Sequence, residues 1–258
     1  MTNQDDKKES LFDLSIIMPA YNEGSRIYAN LLETIDIVSG FCGNFEVIVV
    51  DDGSTDNTYT EILRAAKVDA RITPLQNATN AGKGYALKNG TLVANGEYIA
   101  FLDSDLDLSP AQLESFFEMM EKEDADVVIG SKMHPDSKID YPMQRRIISH
   151  IYFLFIRLLF SLNIHDTQTG IKLFKARIIK PAMKFVLVKN FAYDIEVLVL
   201  CRCLNAKISE HPVDMVFHRG TPYGRMRLRD LWLAGLDTLA VFYRLHFKKS
   251  YQIHPDDL

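Results

Sequence analysis

The sequence has no block of lysine or arginine. Its 29 basic residues are dispersed among 34 acidic ones, for a net charge of -5, so a nucleic-acid partner is not expected. Its seven histidines are scattered and form no HExxH, which argues against a zinc site. Only three cysteines occur, Cys42, Cys201 and Cys203, an odd number without CxxC spacing. A disulfide framework is thereby excluded and a reduced, cytoplasmic compartment expected. Met1 to Asp13 is polar and lacks the apolar core of a signal peptide; it reads as a disordered lead-in. The GxxxxGK[ST] frame is missing, so Gly82-Lys83-Gly84 is not a Walker A loop. Internal repeats and low-complexity segments are also lacking.

What is present is a 258-residue chain that is 47% hydrophobic, enough for one large α/β domain with appended helices. Leu14 to Met18 is a short apolar run closed by Pro19, and a helix is predicted from about Ser25 to Val38. Phe45 to Val50 is rich in β-branched residues and ends in Asp51-Asp52-Gly53-Ser54. Thr58-x-x-Glu61 resembles a capping box. A third strand is predicted near Ile72 to Leu75, and Asn80-Ala81-Gly82-Lys83-Gly84 opens the next helix. Strand and helix alternate, which predicts a largely parallel sheet with helices on both faces. Parallel strands bring Tyr21 and Glu23, Asp51 and Asp52, and Asp103 to Asp107 to one edge, where open α/β sheets hold their ligands.

The central stretch is Tyr98-Ile99-Ala100-Phe101-Leu102-Asp103-Ser104-Asp105-Leu106-Asp107. An apolar run without alternation reads as a strand buried on both faces. If the chain stays extended beyond it, side chains 103, 105 and 107 share one side. Three like charges there would repel unless a cation sat among them. All-oxygen ligands suit Mg²⁺ or Mn²⁺. Ser109-Pro110-Ala111-Gln112 supplies an N-cap with Pro at N1, and Leu113, Phe116, Phe117 and Met120 mark the apolar face of the helix that follows. Asp126 to Gly130 is another strand.

Beyond residue 140 the composition shifts. Arg145-Arg146 leads into an apolar helix to Phe160. It is short and interrupted by His150 and Arg157 for a membrane span, which leaves a packed core helix or one lying in the membrane interface. Asp166 to Phe174 reads as a loop feeding a strand, Phe191 to Leu204 as a helix, and Ile208 to Phe217 as strand. A basic loop from His218 to Arg229 precedes a last apolar helix, Leu231 to Phe247.

The order Pro19-Ala20-Tyr21-Asn22-Glu23, Asp51-Asp52-Gly53-Ser54, Asn80-Ala81-Gly82-Lys83-Gly84 and Asp103-Ser104-Asp105 resembles the inverting family 2 glycosyltransferases of the GT-A fold. Asp166-Thr167-Gln168-Thr169-Gly170-Ile171-Lys172-Leu173-Phe174 and Phe191-Ala192-Tyr193-Asp194-Ile195-Glu196 look like the dolichyl (polyprenyl) phosphate glucosyltransferase branch, with the mannosyltransferases close behind. The resemblance implies a catalytic domain over residues 14–220, followed by a basic loop and apolar helix over 221–258. It implies transfer of a hexose, glucose before mannose, from a UDP- or GDP-sugar to a lipid phosphate, at or near the cytoplasmic face of a membrane. A sugar-hydroxyl acceptor and a non-catalytic nucleotide-binding module are the alternatives; the oligomeric state is open.

Roles follow from the resemblance. Tyr21 would stack on the base, with Pro19 shaping the wall. Glu23 and Asp52, or Asp51 as second choice, would accept hydrogen bonds from base or ribose. Asp103, beside Ser104, would bond the ribose, and Asp105 and Asp107, with Asp103, would hold the metal on the diphosphate. Lys83 and Lys132 would add positive charge, and Arg225 and Arg227 would close over the diphosphate. Asp194 is the candidate base for a hydroxyl acceptor. A phosphate acceptor needs cations instead, and Arg145 and Arg146, with Ser149 one turn on, are placed to hold it.

Overall fold

The structure is a computed structural model that describes residues 12–139, 143–190, 192–216, 228–248 and 251. In its two long apolar helices the description of side chains starts at 151 and at 233. A seven-stranded sheet runs in the order β3-β2-β1-β4-β6-β5-β7. The strands are β1 (Phe12–Ala20), β2 (Phe45–Asp51), β3 (Ile72–Gln76), β4 (Gly96–Phe101), β5 (Val127–Ser131), β6 (Lys172–Lys175) and β7 (Ile208–Pro212). β1 begins two residues inside the stretch expected to be a disordered lead-in, with Phe12 in register with Gly96. The GT-A expectation holds: all pairings are parallel except those of β6, which lies antiparallel to both β4 and β5.

Alternate strand residues feed two cores, as period-2 side-chain geometry requires. Ile16, Met18, Val47 and Val49 face α1 (Ile27–Ser39), α2 (Thr58–Val68) and α4 (Gln112–Lys122). Ile17, Ile48, Val50 and Ile99 face α3 (Lys83–Val93), α5 (Met143–Phe160), α6 (Ala176–Phe185), α7 (Tyr193–Cys203) and α8 (Leu228–His246). Each such side chain, once buried, contributes about 1.5–3 kcal/mol from its removal from water. Both faces of β1 and β2 are covered, which is why those strands read as unbroken apolar runs.

Three local expectations need correction. α4 starts at Gln112, after Pro110, and its first turn is tight: the Gln112 N–H donates to the Ser109 carbonyl and the Leu113 N–H to that of Pro110. Ser109 Oγ still accepts the Ala111 N–H, at 3.3 Å. Thr58 makes no capping box. Its hydroxyl donates to Asp56 Oδ1 and accepts the Glu23 N–H at 2.8 Å, tying the β1 and β2 loops together. α6 was not foreseen, because Lys180-Pro181 inside it is a helix-breaking signal that packing against the core overrides.

α5 is core along one stripe and exposed along another. Phe153, Ile156 and Phe160 are buried, while Ile151, Leu154 and Leu158 are exposed, Leu158 at 82%. α8 packs beside it, with the Tyr152 and Thr238 hydroxyls 3.2 Å apart and Phe160 edge-on to Phe242. α8 in turn exposes Leu236, Leu239, Tyr243 and Phe247. Among the described residues no helix is long and apolar enough to cross a membrane.

Candidate active site

The register brings the predicted residues to one edge. Ala20 is opposite Asp51, Ile17 opposite Phe101, Asp51 opposite Gln76 and Phe101 opposite Lys172. The loops after β1, β2, β3 and β4 therefore converge with the loop that precedes the antiparallel β6.

Tyr21 is 44% exposed at this edge, not part of the core, so its ring face is open to stacking. Pro19 and Glu23 are half-buried beside it. Asn22 adopts a left-handed conformation, φ 55°, that lets its Oδ1 accept the Thr55 N–H at 2.9 Å while its own N–H donates to Ser54 Oγ at 2.9 Å. Asn tolerates this region better than most residues.

Asp51 and Asp52 are buried and engaged. Asp51 accepts the Ser54 N–H and Gln76 Nε2. Asp52 Oδ1 accepts Asn77 Nδ2 at 2.7 Å and the Ala81 N–H at 3.0 Å, and Oδ2 accepts the Gly82 N–H at 2.8 Å. Each carboxylate shapes its surroundings with both oxygens, Asp52 by fastening the 77–82 loop.

The chain does not stay extended beyond β4. The Leu106 N–H returns to the Asp103 carbonyl and Leu106 is left-handed, φ 54°. Burial nonetheless alternates from Leu102 to Leu108, so Asp103, Asp105 and Asp107 remain the more accessible residues. They do not gather around one point: among the described residues no three Asp, Glu, His or Cys come within reach of a single ion. Asp103 pairs with Lys83, and Asp105 Oδ1 accepts the Asp107 N–H at 3.3 Å. Carboxylate oxygens are the donor type that suits a hard cation such as Mg²⁺ or Mn²⁺. Ser104 is buried and its carbonyl accepts Asn30 Nδ2 at 2.7 Å, which anchors the acidic turn to α1.

Lys83 is the first residue of α3. Burial pulls its ammonium pKa down, but the carboxylates of Asp103, Asp194 and Asp105 outweigh this and hold it above the ordinary lysine value. Asp103 also crowds Gly170, where any side chain would collide with its carboxylate; the glycine lets the loop before β6 approach the acidic turn.

Asp194 sits in the first turn of α7, only 5% exposed. Its Oδ1 accepts Lys172 Nζ at 2.6 Å, and Lys172 also donates to the Thr169 carbonyl at 2.6 Å. The Tyr193 hydroxyl bonds to Asp194, and burial followed by that carboxylate drives the phenol well above its usual value. Lys172, just 2% exposed, was quoted within its motif but not singled out; the signal that could have found it is a lysine inside an apolar strand, Ile171-Lys172-Leu173-Phe174, which burial obliges to find a carboxylate. Lys132 likewise faces inward: its N–H donates to Asp166 Oδ2 at 2.9 Å and its ammonium lies 3.4 Å from the same oxygen. Arg225 and Arg227 lie outside the described residues, and the side chains of Arg145, Arg146 and Ser149 outside the described part of α5.

A mostly parallel seven-stranded sheet with helices on both faces and β6 inserted antiparallel is a GT-A arrangement. The sequence model of the family described as glycosyl transferase family 2 matches residues 15–181, and the chain belongs to that family of enzymes. It is 30% identical over 204 residues to glycosyltransferase AglD of Haloferax volcanii, a match covering 78% of this chain and 33% of that protein. It is 30% identical over 216 residues to a dolichyl-phosphate beta-glucosyltransferase of Dictyostelium discoideum, covering 78% of this chain and 65% of the relative. The chain therefore spans less than two thirds of either protein. Among solved structures, glucosyl-3-phosphoglycerate synthase from Mycobacterium tuberculosis, in complex with Mn²⁺, UDP-glucose and phosphoglyceric acid, matches with a TM-score of 0.62 at 17% identity, over 94% of this chain and 81% of that one. That likeness is one of fold.

Proposed function

We propose that this protein transfers glucose, with inversion, from a nucleoside diphosphate sugar to a polyprenyl phosphate. The observation that carries the reading is the placement of the acidic turn and Lys83 on one sheet edge, in a chain whose relative acts, by its name, on dolichyl phosphate. Tyr21 stacks on the base, and Glu23 with Asp103 bonds base and ribose. Asp105 and Asp107 would hold a divalent cation, Mg²⁺ or Mn²⁺, which would supply Lewis-acid stabilisation of the leaving group. Lys83 adds an ammonium at the same place.

Asp194 is a poor candidate for direct proton abstraction, because it is buried and bonded to Lys172 and Tyr193. A phosphate acceptor needs no strong base: it is an anion near neutral pH and must be aligned, a task for Arg145, Arg146 and Ser149 at the start of α5. The apolar faces of α5 and α8 then rest on the membrane that carries the lipid. Large exposed apolar surface of this kind marks an interaction site.

The deciding experiment is a transfer assay with a panel of UDP- and GDP-hexoses, with and without polyprenyl phosphate, in EDTA and after return of Mg²⁺ or Mn²⁺. Glucose transfer that needs both lipid phosphate and metal is expected. Full activity in chelator refutes the metal assignment; transfer only to sugar hydroxyls refutes the acceptor.

A further inference from the structure

Lys83 is held in place by a segment far from it in sequence. The Gly84 N–H donates to the Lys189 carbonyl at 2.8 Å. Gly84 lies so near α7 that a Cβ there would sit 2.5 Å from Tyr193 Cβ, which only glycine avoids. One turn further, Lys88 Nζ donates to the Val186 carbonyl at 2.8 Å and to that of Lys184 at 3.2 Å. The N-terminal half of α3 is thus bolted to residues 184–189.

Glu196 holds that segment from its other side. It is fully buried on α7. Its Oε2 accepts the N–H groups of Leu187 and Val188, at 2.8 and 2.6 Å. Its Oε1 accepts Arg244 Nη2 at 2.9 Å and the Tyr251 hydroxyl. Arg244 Nε also donates to the Tyr251 oxygen at 2.8 Å. One carboxylate therefore joins the segment that seats Lys83 to α8, the helix with the exposed apolar face, and to Tyr251 beyond it.

We propose that Glu196 is a positioning residue for donor binding: braced by Arg244 and Tyr251, it presses residues 187–189 against α3 and so sets Lys83 opposite Asp103. The inference rests on the reading of Lys83 as a diphosphate-binding group. The chemistry demands a carboxylate. Four donors converge on two oxygens, and glutamine has one acceptor oxygen and an amide that only donates. A glutamine can serve the backbone pair or the Arg244 side, not both.

The test is calorimetric titration of the full chain, with Mn²⁺ present, using whichever of UDP and GDP the unmodified protein binds. Lys83→Ala, Glu196→Gln, their combination and Tyr251→Phe are compared, each checked for folding by thermal unfolding. Glu196→Gln should weaken nucleotide binding by about three- to thirtyfold, the range for residues acting through a network. Tyr251→Phe should shift it less, in the same direction. Added to Lys83→Ala, Glu196→Gln should have little further effect, because its influence passes through Lys83. Full additivity, or unchanged affinity in Glu196→Gln beside a weakened Lys83→Ala, overturns the inference. Unchanged affinity in Lys83→Ala overturns the underlying assignment of the lysine. Should Glu196→Gln not fold, Tyr251→Phe in both backgrounds decides by the same criterion.

Discussion

The two halves of the molecule build their share of the edge by different means. Residues 12–107 form parallel strands whose terminal carboxylates are held by nearby backbone N–H groups and amides, as Asp52 is by Asn77, Ala81 and Gly82. The described part of residues 127–251 inserts an antiparallel strand and sets a cation on each of three buried carboxylates: Lys172 on Asp194, Lys132 on Asp166, Arg244 on Glu196. In the first half the charge of Asp51, Asp52 and Asp56 is satisfied by neutral donors, and Lys83 on Asp103 is the ion pair of the edge. In the second, charge is neutralised internally. Under the proposed function, the first half presents charge to the donor and the second holds shape.

The sharpest way to break this contrast is to remove a buried cation. Lys172→Met keeps the volume and leaves Asp194 buried without its ammonium. Removing one member of a buried pair costs about 3–5 kcal/mol, so the urea midpoint should fall steeply. Replacing both, as Lys172→Met with Asp194→Leu, should recover much of the loss. An unchanged midpoint for Lys172→Met would mean that the second half does not depend on its ion pairs.

On the donor side the matching change is Asp105→Ala. Asp105 is half-buried in the acidic turn, where its Oδ1 accepts the Asp107 N–H; its loss should lower turnover by about 10²–10³-fold, as expected when transition-state charge loses its counterpart, and should move the urea midpoint less than Lys172→Met does. Asp194→Asn should cost less activity than this if the acceptor is a phosphate. Steady-state kinetics on the two variants decides: a greater loss for Asp194→Asn would make it the base and favour a hydroxyl acceptor.

This asymmetry explains what the sequence disclosed. The parallel half was legible because its strands are uninterrupted apolar runs, Phe45 to Val50 foremost, and each ends in a polar cluster next in the chain. The convergence of Tyr21, Asp51 and Asp103 follows from strand direction alone. The acidic turn was legible in composition but not in path, since nothing in Asp103 to Asp107 announces a left-handed Leu106. In the second half, Lys172 meets Asp194 across 22 positions of chain and Glu196 meets Arg244 across 48, through packing. A charged residue in an apolar segment shows that a partner must exist, not which residue it is. The apolar helix α5 could be read as core or as surface because it is both, one stripe on each side.

That stripe gives a third, smaller effect. Leu154→Glu with Leu158→Glu alters only exposed positions, so unfolding should be unaffected. Flotation with anionic vesicles should weaken at least about tenfold, since each side chain withdrawn from the apolar layer forfeits roughly 1–2 kcal/mol and the new carboxylates are repelled by the lipid charge. Variants that float like the unmodified protein would show that the α5–α8 face meets something other than a membrane.

The smallest effect concerns acid. Burial alone would raise the Asp166 carboxyl, but the Lys132 ammonium, the Lys132 N–H, the Thr169 hydroxyl and the Gln168 N–H together hold it below its ordinary value of 3.8. A carboxylate depressed by folding adds stability that is complete above the unfolded value and is lost as pH falls through the folded one. Asp166 therefore contributes fully at neutral pH, and its contribution fades only below about pH 4. Asp166→Asn removes the charge at all pH values. Its destabilisation, read from urea midpoints, should be greatest near neutrality and should shrink on going from pH 5 toward pH 3. Asp56, depressed by hydrogen bonds from Thr58 and Gly24 that oppose its burial, serves as the comparison from the first half. It is held by neutral donors, so its acid loss should resist added salt, whereas that of Asp166, which depends on an ammonium, should be partly screened. Equal salt sensitivity at both positions would erase, at this level, the distinction between a half held by dipoles and a half held by charges.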